Sequence, residues 1–219
     1  MSFQTDPLMS GIQGIHRALS RALKVLIDES RQFGTQERVD LKRTEGFRMY
    51  ARTFCDLLHA HHDGEEAIGF SLLHTKMSGE DLSGLETEHT DMLDALHALQ
   101  TFVAAPAPWD GSHWRGVHRA ASALRAGWQV HQGNEEIYMA KVSAKLSPEE
   151  RARLARELET FGITHAGPGN RVVPFILYNL EGKDREDMGS RLPFFLKGIL
   201  VPFFWRANYR PMQPFLFPR

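Results

Sequence analysis

The sequence predicts an all-α protein: an up-down-up-down four-helix bundle with a short fifth helix and a Phe/Pro-rich C-terminal extension. Three observations carry this. Apolar residues recur at spacings of three and four from residue 8 to about 162, the period of amphipathic helices. No β alternation of any length competes with that pattern. The periodic segments are separated by polar, Gly- and Pro-bearing connections of the kind that join antiparallel helices.

The first helix carries Ile12, Ile15, Leu19, Leu23 and Leu26 on one face. The second follows the polar stretch near 35–45 and carries Phe47, Phe54, Leu57, Leu58 and Ile68. "MSGEDLSGLE" at 77–86 holds helix-start chemistry and introduces a third helix with Leu85, Met92, Leu96 and Leu99. "AAPAPWDGSHW" at 104–114 is a connection, and the fourth helix then carries Val117, Leu124, Trp128 and Ile137. "SPEE" at 147–150 sets Ser at an N-cap, Pro at N1 and Glu at N3 of a fifth helix ending near Gly162. The expected division is therefore a bundle over 1–162 and an extension over 163–219. The extension reads "VVPFILYNL", "LPFFLKGILVPFFW" and "PMQPFLFPR". So much apolar surface calls for packing on the bundle or at a homodimer interface.

Composition narrows the function classes. A formal charge of −1 over 219 residues leaves no electrostatic footprint for nucleic acid and no polybasic membrane patch. The single Cys55, among Phe54, Leu57 and Leu58, reads as a core thiol and excludes a disulfide framework. "MSFQTDPLMSG" lacks the basic and apolar regions of a signal peptide, and no apolar run is long enough for a transmembrane segment. A cytoplasmic protein is the expectation.

The 11 histidines are the informative residues. His16 lies in the row Ile12–His16–Leu19–Leu23, and His61 and Glu65 in the row Phe54–Leu57–His61–Glu65–Ile68. Leu85–His89–Met92–Leu96 turns His89 inward, and Leu124–Trp128–His131–Glu135–Tyr138 does so for His131 and Glu135. Each long helix thus aims one histidine at the core, and two add a glutamate one turn on. Buried carboxylates are costly unless paired or bound to metal. Four imidazoles and two carboxylates make a ligand set for two borderline metal ions. His62 and Glu66, rotated about 100° from that row, read as flanking positions. His59, His74, His97, His113 and His118 likewise fall on polar or connecting positions, and His165 in the first loop of the extension.

With these residues in view, the chain resembles bacterial hemerythrin-like proteins of the HHE cation-binding type over roughly 8–145. The resemblance rests on "GIHRAL", "HHDGEEAIGF", "ETEHTDML" and "HQGNEEIYM". It implies a non-haem di-iron centre with oxo or hydroxo and carboxylate bridges, held by His16, His61, Glu65, His89, His131 and Glu135; manganese would satisfy the same set. Two departures stand out. Leu93 occupies the position where oxygen carriers have a fifth histidine, leaving a coordination position open or filled by water or another side chain. Glu135 stands where the carriers use an aspartate one residue further on. Both shift the expectation from reversible carriage toward redox chemistry on O2 or H2O2, with room for an organic substrate. The alternative is a protein that binds or senses O2, nitric oxide or iron without turnover. A metal-free helical interaction protein, its histidines satisfied by Glu65 and Glu135, is the third reading. Leu93, Trp128 and Ile68 are expected to keep the site dry, and Glu86 to support a ligand. A ferritin-like site would need a second inward Glu-x-x-His beside Glu86–His89, and a zinc hydrolase an HExxH motif; neither is present.

Overall fold

The computed structural model describes residues 6–218. The first five residues of the N-terminal stretch, where a leader would begin, lie outside the described residues. Among the described residues there is no strand. Asp6 caps α1 (Pro7–Phe33) by accepting from the Leu8 and Met9 amides, with Pro7 in the first turn where its missing N–H costs nothing. Asp40 caps α2 (Leu41–Gly64) through the Arg43 amide. At Glu65 the backbone widens into a π-helical segment, Glu65–Phe70, and narrows again into α3 (Ser71–Lys76). α2, the π segment and α3 together are the second helix of the sequence. α4 (Ser83–Ala104) and α5 (Gly111–Ser143, capped by Asp110) complete the bundle. α6 (Pro148–His165) opens with the Ser147–Glu150 capping box and runs three residues beyond the expected end at Gly162.

α1 packs on α5 and α2, and α4 on α2 and α5, which closes an up-down-up-down ring. Its interior is filled by Leu19, Leu23, Phe54, Leu58, Leu96 and Leu124, all essentially inaccessible to water. Two expected core residues fall elsewhere. Ile137, two positions past Glu135, is turned some 200° from it at 100° per residue and lies exposed. Ile68 is only half-buried, because the π turn lengthens the period there and the buried positions run Glu65, Gly69, Leu73 and Met77.

The extension comprises α7 (Gly169–Tyr178), α8 (Gly182–Ser190), a second π-helical segment (Leu196–Phe204), α9 (Arg206–Tyr209) and a 3-10 turn (Arg210–Phe215). Phe175, Tyr209, Met212 and Phe215 belong to the same continuous core as the bundle helices. A polar knot ties the layers. Arg21 of α1 donates to the Asn179 side chain, the Tyr50 hydroxyl and the Phe215 carbonyl, and Tyr50 also donates to Asn179 at 2.6 Å. The 3-10 turn lies so close on α2 that a Cβ at Gly46 would collide with the Pro211 carbonyl oxygen. α8 docks on α1 in the same way: a Cβ at Gly14 would meet the Met188 methyl at 2.5 Å, and one at Gly11 the Arg191 guanidinium at 3.3 Å.

Gly46→Ala is accordingly expected to lower stability by about 1–3 kcal/mol, the usual cost of overpacking. Thermal melting and limited proteolysis check this, with cleavage of the segment after residue 205 appearing first; an unchanged melt and digestion pattern would refute the docking.

Candidate metal centre

The six residues the sequence singles out converge at the middle of the bundle. His16 comes from α1, His61 from the last turn of α2, Glu65 from the start of the π segment, His89 from α4, and His131 and Glu135 from α5. A seventh residue joins them. His62, a flanking position by its place in the sequence, is 1% exposed and turned inward. Its row is Ala51–Cys55–Leu58–His62, every member buried. A helix enclosed on several sides buries a stripe wider than one line of residues, and the Leu58 one turn earlier is the signal for it. His61, by contrast, keeps 12% side-chain exposure.

These residues form two quartets. His62, Glu65, His89 and His131 offer ligand atoms within 4.8 Å of one another, as do His16, His61, Glu65 and Glu135. Glu65 belongs to both. Its Oε1 lies 2.7 Å from His61 Nε2, and its Oε2 lies 3.0 Å from His89 Nε2 and 3.7 Å from His131 Nε2. His16 Nε2 and Glu135 Oε2 are 2.8 Å apart. Three of these spacings are within hydrogen-bond reach and the fourth is longer, yet the same nitrogens and oxygens are buried with no hydrogen-bond partner. Buried polar atoms are almost always paired within the protein or with water, so a cluster this large fits a metal-binding donor set. Neutral imidazoles and carboxylates suit iron, manganese or zinc.

The outer nitrogens face a ring of acids. His16 Nδ1 and Glu136 Oε1 hydrogen-bond at 2.8 Å. Glu66 Oε1 lies 3.5 Å from His89 Nδ1, and Glu88 Oε2 lies 3.5 Å from His131 Nδ1. Partners of this kind orient ligand imidazoles and select their tautomer. Glu86 does not take this part; it pairs with the exposed His74 instead. Trp128 closes one side, its ring centroid 5.3 Å from that of His16 and 5.9 Å from that of His61, and its indole N–H is satisfied by Ser20. Leu93 is half-buried on α4. Tyr50 is engaged in the polar knot, where burial pushes its pKa up, and Tyr138 stacks under Lys141. Burial likewise pushes up the Cys55 thiol, which makes it an inert core group.

Charge follows geometry. Burial opposes protonation of His16, but Glu135 and Glu136 outweigh it and lift its pKa to about 10. Burial dominates at His62 despite Glu65, so its imidazole is held neutral. Burial would raise the Glu65 pKa, yet the surrounding His61, His131 and His89 hold its carboxyl well below the usual range.

A family model for the hemerythrin HHE cation-binding domain matches residues 10–142, from α1 to within one residue of the end of α5. No match was found among curated proteins or solved structures.

Two outcomes are expected. His62→Ala should weaken one of two metal-binding steps by roughly 100-fold or more, the upper end for losing an outer partner of a ligand, as read by metal titration. In the metal-free chain, His16 binds its proton more tightly folded than unfolded. Its stabilisation is complete below its ordinary pKa of 6.5 and is lost as pH rises through about 10. The melting temperature should therefore fall over that interval, and the fall should shrink in Glu135→Gln, where Glu136 still holds the His16 imidazole.

Proposed function

Because the chain belongs to the hemerythrin HHE cation-binding family, we propose that it is a non-haem di-iron protein acting as an oxidoreductase on O2 or peroxide. The observation that carries this reading is Glu65, one buried carboxylate shared by two four-residue donor sets. His62, His89 and His131 would hold one ion and His16, His61 and Glu135 the other, with Glu65 available to both. On this assignment His62 supplies the fifth nitrogen that Leu93 cannot. Two iron ions bound there would supply the electrons that reduce O2 or H2O2; manganese fits the same donors.

The chain's own residues do the rest. Glu136 accepts from His16 Nδ1 and so leaves Nε2 for the site. Glu88 and Glu66 face the outer nitrogens of His131 and His89. Trp128 and Phe70 cover the imidazoles with apolar surface, which favours a neutral gas or peroxide over bulk water. The two donor sets differ in access. Of the seven, His61, Glu65 and Glu135 line the cavity between α1, α2 and α6–α8, while His16, His62, His89 and His131 are not among its lining residues. That asymmetry supports turnover at the His61 side over passive storage.

Metal analysis after anaerobic ferrous loading tests the reading, and about two irons per chain are expected. Glu65→Ala should lose both, where a single-site ligand would lose one. Consumption of H2O2 or O2 by the loaded protein, abolished in Glu65→Ala, supports the oxidoreductase. Reversible O2 spectra without consumption would replace it by a binding protein, and absence of metal would end the di-iron reading.

A further inference from the structure

The cavity over the His61 side has a volume of about 170 Å³. That is the scale of an engineered apolar cavity of roughly 150 Å³ that stays dry and takes up benzene. Its floor is the face of the metal centre, and much of its wall comes from beyond residue 142, outside the family match. Leu158 and Ile163 of α6, Val172 and Ile176 of α7, and Met188 of α8 build that wall against Ile12 and Ile15 of α1. The lining is overwhelmingly apolar, and its charged members are few. Glu65, Glu135 and Glu159 are acids; Arg191 is the one arginine or lysine among the lining residues. Arg191 directs one nitrogen to the Pro7 carbonyl and the Ser10 hydroxyl, and no carboxylate pairs with it among the described residues.

We propose that this cavity is the binding site for an aliphatic carboxylate, its head on Arg191 and its chain running to the metal centre. In the metal-free chain Glu65 and Glu135 repel an anionic end, and the guanidinium at the end of α8 attracts it, so the molecule has one favoured direction there. Its hydrocarbon end then faces His61, Glu65 and Glu135. This deepens the di-iron oxidoreductase reading and rests on it for any chemistry, but the binding itself does not require metal.

The test is calorimetric titration of octanoate and octanol into full-length protein, metal-free and ferrous-loaded, with metal content measured on the same samples. Octanoate should bind the metal-free protein at one per chain. Arg191→Gln should weaken octanoate at least about tenfold, the loss of a charged hydrogen bond, and leave octanol little changed. At Gly162, which lines the cavity, an added Cβ meets no atom within 4 Å; Gly162→Leu should keep the melting temperature and abolish binding of both. No octanoate binding to either form, or full binding by Gly162→Leu, overturns the cavity; octanol binding as tightly as octanoate overturns the anionic head. Octanoate binding by a chain that takes up no iron sinks the di-iron reading alone, and two irons without octanoate sinks this one alone.

A separate observation concerns the outer face of the extension. Phe194, Phe195, Phe203 and Phe204 are 54–75% exposed. After Asp187 the sequence contains no acidic residue, and Lys197, Arg206 and Arg210 of this stretch are exposed. Net charge over the whole chain does not reveal this local excess, and against the expectation drawn from composition we infer that this patch seats the protein on an anionic lipid surface. Aromatic side chains interleaved with basic ones suit the boundary between headgroup and acyl chain. A second copy would instead set like charges against each other. No described helix is long and apolar enough to cross a membrane, so the contact is peripheral. Co-sedimentation with vesicles of phosphatidylcholine, alone or mixed with phosphatidylglycerol, should show binding only to the mixture, lost in Phe194→Ser/Phe203→Ser with metal content unchanged. Absence of binding to the mixture overturns it, as does a homodimer that the double variant disperses without any vesicle binding.

Discussion

Glu65 is a carboxylate with almost no access to water, placed where histidines from three other chain segments reach it or its fellow donors. Alone, a buried carboxylate would be neutralised or expelled. It is tolerated because imidazole nitrogens surround it and hold it charged. Everything nearby depends on that arrangement. His89 and His131 must arrive from α4 and α5, His16 from α1, and the helix bearing Glu65 must present it to both groups. The backbone widens into a π turn at this residue. Such turns cluster at functional sites because one wide turn re-aims the side chains of the next turns of helix.

The acids behind the histidines complete the electrostatics. Glu136, Glu88 and Glu66 lie on the outer side of the imidazoles, and each belongs to the same helical stretch as one of the inner residues or its neighbour. The doubled glutamates of the sequence thus divide their work: the first member of each pair points in, and the second reaches around to a histidine on another helix. The extension adds what the bundle lacks. Through the Arg21 knot and the Gly46 contact it shares one core with α2, and through α7 and α8, beside α6 of the bundle, it roofs the accessible side of the centre.

Much of this is readable from residue order. The helices, their caps and the Ser147–Glu150 box are local, set by hydrogen bonds within a few residues. The inward aim of His16, His61, His89 and His131 comes from the 3.6-residue period along straight helices. Where the helix is not straight, that period misleads: Ile68 falls within the π turn and drifts from the row of Leu57 and His61. His62 is hidden for another reason. Tracing one line of apolar residues undercounts the buried stripe of a helix surrounded on most sides, although Leu58 and Cys55 in its own row already mark it. Glu86 lies at a helical spacing that favours His89, but the fold turns it to His74, and no local pattern distinguishes the two partners.

By itself, the sequence determined the helical class, the order and approximate ends of the bundle helices, and six residues aimed at one interior. These are consequences of local hydrogen bonding and of burial periodicity, which act along the chain. The tertiary structure decided that Glu65 is common to two donor groups, that His62 joins them, that Glu66, Glu88 and Glu136 back the histidines, and that the extension walls a cavity beside His61, Glu65 and Glu135. Each of these depends on distances between segments far apart in sequence, and such distances exist only once the apolar faces have packed together.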